Sequence, residues 1–447
     1  MATYFEIICG IIALLLAFYY YFTSTFDFWK VRGVPGPKPV PMFGNIKDVM
    51  LLRTSMCTYL KKLWEEYKDE PMIGIFTRKT PILILQDPEL IKDVLIRDFS
   101  VFADRGIPVH EKAEPLSPHL FNLESQRWRP LRTRLSPVFT SGKLKEMFPL
   151  ILECSKHLEQ YLDSLVAKGE PIECRELTAK YTTDVIAPLE ITTFFTKIIV
   201  DTMKYRDDNN IVRPDFVNML MELKRHPDKL ENIKLTDTLL TAQAFVFFIA
   251  GFETSSSAIS NVLYELALNP EIQDKLRQEI REHFEENNGE LKYDQIKDLT
   301  YLDLVFRETL RKYPAGPLIL RKSVSSYTFN NTKVSIPEKT FIWIPLYAIH
   351  HNPDIYPNPD AFIPERFNDD AVASRDSMHY LPFGDGPRNC IGARFAVYQS
   401  KVGLITILRN HKVEVCEKTM IPYVIDPAAF LLAPKGGIYL KLIKVES

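Results

Sequence analysis

The chain has 447 residues, 46% hydrophobic and 25% charged, a balance that excludes a disordered polymer and allows one large domain or two to three smaller ones. A formal net charge of -2, with no zinc-finger spacing and no arginine-rich tail, argues against nucleic acid as a partner. Six cysteines at 9, 57, 154, 174, 390 and 416 show no paired spacing, so the chain reads as reduced and facing the cytosol.

In chain order, the first element is the apolar run 5–22, "FEIICGIIALLLAFYYYF", broken only by Glu6. It approaches the roughly 20 residues that a bilayer-crossing helix needs. Tyrosines at 19–21 close it where amphipathic rings favour headgroups, and Lys30, Arg32 and Lys38 follow, whereas no Lys or Arg precedes it. A basic n-region and an A-x-A-like cleavage site are both missing, so residues 1–25 are expected to be a retained anchor with the body in the cytosol. Prolines at 35, 37, 39 and 41 force an extended path, and 26–45 reads as a stiff hinge between that anchor and a single domain over 46–447.

"TPILILQDPELIKDVLI" (80–96) predicts a strand, a turn at Asp87-Pro88 and an amphipathic helix. "QRWRPLRTR" (126–134) predicts a helix in which Trp128 and Arg132, four apart, share a face and could reach one anionic group; Pro130 belongs in or near its first turn. A solvated face is the plainer account of so much charge. Helical periodicity also marks 145–168 and 271–286.

The strongest apolar helix is 235–270, with Thr236 as its N-cap and Asn269-Pro270 as its stop. Its middle is apolar all round, which predicts a path through the core. Inside it, Gly251, Glu253 and Thr254 make a notch where a small ligand could meet a proton-relay pair, or Thr254 could simply bond back to its own helix. The residues alone leave both readings open.

"YLDLVFRETLRKYP" (301–314) predicts a helix that places Glu308 and Arg311 on one face, with Arg366 of "PERF" a candidate third member of a buried charge cluster. Residues 339–367 read as a short strand and a proline-rich meander, and the last thirty as β-hairpins. Between them, "FGDGPRNCIG" (383–392) sets Cys390 among glycines, with Arg388 two residues before it to favour a thiolate and Phe383 placed to cover the sulfur. The glycine spacing fails as a dinucleotide fingerprint, and no local base supports a nucleophile. An inert thiol, a redox partner and a metal ligand all remain.

Taken together these stretches resemble the cytochrome P-450 superfamily of haem-thiolate monooxygenases. The loop fits F-G-x-G-x-R-x-C-x-G, "AGFETS" fits the oxygen-activating segment of the long central helix, "ETLR" the E-x-x-R motif, "PERF" its partner and "WRPLR" the W-x-x-x-R pair. The anchor and proline stretch are similar to the microsomal type, and "DRGIPVHEKAEPLSPHLF" to the insect detoxification clan that includes family six. The fold implied is mainly α with small β-sheets. The resemblance implies haem b with Cys390 as its axial thiolate, whose electron donation favours O–O cleavage. It gives Thr254 and Glu253 the handling of dioxygen and protons, and makes Arg105, Trp128, Arg132, Arg321 and Arg388 the partners of the haem propionates, with Phe383 over the sulfur. It makes Glu308, Arg311 and Arg366 a structural triad.

The resemblance further implies an endoplasmic-reticulum membrane protein that draws electrons from NADPH through a reductase, with cytochrome b5 as a further donor. It would oxidise xenobiotic or endogenous lipophilic molecules, with pocket candidates in 101–121 and at Phe247, Phe248, Leu318, Ile319 and Phe430. One stretch departs from the family. Only "APLEI" separates Ile186 from "TTFFTKIIV", so the helices that roof the pocket (the family's D–F region) are expected to be partly missing. A membrane-anchored haem protein with impaired catalysis is the alternative which that gap raises.

Overall fold

In the computed structural model, which describes residues 2–183, 191–213, 215–225 and 235–445, helices dominate and three small sheets flank them. The gap expected after Ile186 lies outside the described residues. At the centre runs the long helix Asp237–Leu268. The Thr236 side chain accepts the Leu239 N–H at 3.1 Å and Asn269 ends the helix, as the cap signals require.

Burial along that helix is not uniform. Residues 239–244 and 255–267 are almost wholly buried, whereas 245–254 are half-exposed or exposed. The all-round apolar pattern therefore does not mean core throughout: its second half packs in the main core, and its middle lines an open face. Ala258 to Ala267 join Leu302, Val305 and Phe306 of the helix Thr300–Lys312 with Leu404 to Leu408 of the helix Ala393–Asn410 in the largest apolar cluster.

The main sheet orders its strands β1 (Met72–Thr77), β2 (Thr80–Leu85), β7 (Phe341–Ile344) and β4 (Ile319–Lys322). A second sheet places β9 (Tyr439–Lys444) between β3 (Ile172–Glu173) and β8 (His411–Val415), and β5 (Tyr327–Thr328) pairs with β6 (Ser335–Ile336). Within the last thirty residues, expected as β-hairpins, Ile425 and Pro434 form an antiparallel bridge and β9 pairs back to β8 across the intervening loop. Pro130 also lies a turn deeper than expected, as the sixth residue of the helix Ser125–Leu135. The carbonyl it leaves unpaired belongs to Gln126, which is exposed and open to water.

Residues 2–23 form one helix, exposed from Tyr4 to Tyr21. The proline-rich stretch after it is not a free spacer. Trp29 is buried and its Nε1 donates to the Ile75 carbonyl at 3.0 Å. Gly74 makes room for that indole, since a Cβ there would lie 2.3 Å from it, and the Gly74 N–H donates to the Pro35 carbonyl at 2.8 Å. Thr25 Oγ1 donates to the Lys79 carbonyl, and the Lys79 ammonium lies 3.6 Å from the Tyr21 ring centroid. Prolines remove the option of a helix, and β1 then fixes the extended chain along its flank. Trp29→Ala is expected to lower stability by about 3–5 kcal/mol, as for a buried aromatic, read as a lower denaturant midpoint at unchanged slope.

Candidate active site

The loop Leu381–Gly392 is built by its own backbone. The Gly384 N–H donates to the Leu381 carbonyl at 2.9 Å, Asn389 N–H to Gly386 at 3.1 Å and Cys390 N–H to Phe383 at 2.8 Å. Gly384 and Gly386 carry φ of 68° and 71°, the left-handed region that glycine enters without strain. Gly386 has a second reason. A Cβ on it would sit 1.8 Å from the Leu95 carbonyl, part of the π-helical turn Asp93–Arg97. Its bareness therefore serves protein packing, not only the approach to a flat cofactor.

Cys390 is solvent-accessible. The protein around it desolvates the thiol and pushes its pKa up; the Gly392 backbone and the Arg132 and Arg105 charges oppose that shift. The helix Ala393–Asn410 begins just beyond, so its N-terminal dipole favours a thiolate as well. Among the described residues no three His, Cys, Asp or Glu gather to hold a metal ion. Cys57 and Cys174 are buried with raised pKa values, Cys57 to about 11, and read as inert core thiols.

Around Cys390 the structure gathers the arginines named from the sequence. Arg132 donates to the Asn389 carbonyl at 2.9 Å and to its Oδ1 at 2.8 Å, fixing the residue next to Cys390. Arg105 donates to the Phe121 and Arg388 carbonyls. Arg388 donates one N–H to the Leu123 carbonyl and lies 4.5 Å from the centroid of the buried Trp128 ring. Burial and the neighbouring guanidinium groups hold Arg105, Arg321 and Arg388 below the ordinary range, Arg321 at about 9 and Arg388 at about 10. Yet Arg388 Nε and Nη1 and Arg321 Nε are buried with no hydrogen-bond partner. Such donors cost free energy unless an anion meets them. The carboxylates of a haem are of the right charge and number, so the residues present fit that group.

On the long helix, a Cβ at Gly251 would meet nothing within 4 Å, so the notch is open. Thr254 Oγ1 donates to the Ala250 carbonyl at 2.7 Å, the local bond that the plainer reading expected. Glu253 points elsewhere and pairs with Arg175 of the helix Cys174–Thr183. Phe247 stacks on Phe216 at 4.2 Å and meets Phe139 in a tilted contact at 4.8 Å, whereas Phe430 is 82% exposed.

Glu308 and Arg311 are both fully buried and joined by two hydrogen bonds of 2.7 and 2.8 Å, with Arg366 Nε 3.4 Å from Glu308. Sequence reasoning passed over Asn389, which holds Arg132, and Gln243. The Gln243 Oε1 accepts the Leu120 N–H at 2.8 Å and its amide donates to the Pro118 carbonyl at 3.2 Å, pinning the loop 101–121 to the long helix. A lone glutamine inside "LLTAQAFVFF" was the available signal.

The cytochrome P450 family profile, hereafter P-450, matches residues 34–192 and 189–441. The chain belongs to the cytochrome P-450 family. Its curated relatives include cytochrome P-450 6A1 of Musca domestica, 36% identical with 95% of each chain covered. Cytochrome P-450 6a2 of Drosophila melanogaster is 37% identical over 97% of this chain and 98% of its own. Cytochrome P-450 6B1 of Papilio polyxenes is 35% identical over 95% and 97%. As a cytochrome P-450 the chain is a haem-thiolate monooxygenase, and its cofactor is haem b. When bound, the haem supplies the activation of dioxygen. The residues that would hold it are Cys390 and the arginines with unpaired buried donors, Arg321 and Arg388.

Gly386→Ala is expected to lower haem per chain at least about tenfold, because it adds the collision with Leu95 to the roughly 1–2 kcal/mol of a left-handed alanine. Gly384→Ala, whose nearest neighbour would be Ile319 at 3.7 Å, bears only the backbone cost. Haem-to-protein ratios of the two purified variants check the difference.

Proposed function

We propose that this cytochrome P-450 inserts one atom of dioxygen into lipophilic substrates, xenobiotic or endogenous, with electrons from NADPH delivered by a membrane-bound reductase. The observation that carries the reading is the half-exposed apolar middle of the long helix, residues 245–254, with the open notch at Gly251 beside Thr254. An apolar face with few polar groups suits a greasy substrate. Thr254 positions dioxygen and passes it a proton, and Glu253 supports that relay from its pair with Arg175. The bare helix 2–23 and the cations after it support an endoplasmic-reticulum anchor with the body in the cytosol.

A second reading is favoured by a specific feature. The family profile matches in two pieces that meet at 189–192, where the sequence shortens. The alignment with cytochrome P-450 6a20 of Drosophila melanogaster runs over 505 positions and covers all of this chain, whose length is 447 residues. The relative therefore carries residues that this chain lacks. A shortened roof would leave the haem held but turnover impaired.

The carbon monoxide difference spectrum of the reduced protein, followed by product analysis with reductase and NADPH, separates the two. NADPH-dependent product from a lipophilic probe supports the monooxygenase. A thiolate spectrum without any product across a probe panel supports the impaired form. Cys390→Ala is expected to abolish the thiolate signature, and substitution of Cys57, Cys154, Cys174 or Cys416 to leave it; retention in Cys390→Ala overturns the ligand assignment.

A further inference from the structure

His350 belongs to neither the charge triad nor the cysteine loop, yet it touches both. It is fully buried at the end of the short helix Leu346–His350. Its carbonyl accepts Arg311 Nη1 at 2.9 Å. Its ring Nε2 accepts the Leu381 N–H at 3.1 Å, and Leu381 is the residue whose carbonyl receives the Gly384 N–H at the start of the loop. The ring also stacks on Tyr380 at 5.6 Å, and the Tyr380 hydroxyl donates to the Arg307 carbonyl beside Glu308.

An imidazole that accepts at Nε2 must be neutral and carry its proton on Nδ1. Burial, and then the Arg311 charge, lower the His350 pKa to about 3, so the acceptor form persists across the working pH range. Nδ1 has no hydrogen-bond partner.

We infer that His350 is a positioning residue that ties the start of the Cys390 loop, through Leu381, to the Glu308–Arg311 pair. The inference rests on the haem ligand being Cys390. The route is short and fully bonded: Glu308 orients Arg311, Arg311 holds the His350 carbonyl, and the His350 ring holds Leu381. From Leu381 the loop's own hydrogen bonds run to Phe383 and Cys390.

The test uses the full-length, haem-loaded chain with two substitutions of similar bulk. His350→Gln keeps an acceptor near the Leu381 N–H; His350→Leu removes it. The readouts are the ratio of thiolate to protonated-thiol signature in the reduced carbon monoxide complex and the iron reduction potential, with thermal unfolding recorded beside them. His350→Leu is expected to lower the thiolate ratio about tenfold, the scale of one lost buried hydrogen bond, and to shift the potential. His350→Gln should stay within about twofold of the parent. An unchanged thiolate ratio in His350→Leu overturns the inference, as does an equal loss in both variants tracking equal loss of melting temperature. If His350→Leu does not fold, His350→Gln decides alone: retention of the signature supports the coupling and its loss overturns it. A parent chain without any thiolate signature would instead strike at the ligand assignment.

Discussion

The structure depends on a charge pair taken wholly out of water. Glu308 and Arg311 are both at 0% exposure, where an uncompensated ion would cost several kcal/mol. Completion of the network makes the arrangement stable. Arg311 spends its donors on both carboxylate oxygens and on the His350, Pro359 and Ala361 carbonyls, and lies over the Tyr356 ring. Glu308 also accepts the Ile363 N–H at 3.0 Å. Segments that are otherwise irregular, the meander 351–363 and the loop before Cys390, are thereby tied to one helix.

The opposite electrostatic condition holds near Cys390. There the chain gathers Arg105, Arg132, Arg321 and Arg388, and several of their donors find no protein acceptor. A buried cluster of one sign is unfavourable in the chain alone and becomes favourable when an anionic group arrives. One charge set thus closes on itself and builds the scaffold, and the other keeps donors that the carboxylates of a haem would satisfy. Asn389 and the short helix carrying His350 stand between them.

Much of the site was legible because its chemistry is carried by local spacing. Glu308 and Arg311 three apart on a helix, Trp128 and Arg132 four apart, and glycines bracketing Cys390 are patterns that backbone geometry fixes within one element. Other features depend on contacts between distant segments and leave little local trace. Gly386 answers to Leu95, nearly three hundred residues away, and Trp29 answers to Gly74. Glu253 and Thr254 stand about 100° apart around their helix, and the partner that the Glu253 carboxylate takes, Arg175, comes from a distant segment and leaves no local trace.

The sequence by itself determined the first apolar helix, the long capped helix and the family, because each rests on composition, short-range periodicity or local spacing. Only the tertiary structure decided that the proline stretch is docked along β1, that the middle of the long helix is half-exposed and that His350 bonds both Arg311 and the cysteine loop. The reason is physical: hydrophobic period and hydrogen-bond capping act over a few residues. Which backbone groups end up facing each other is settled by packing across the whole chain.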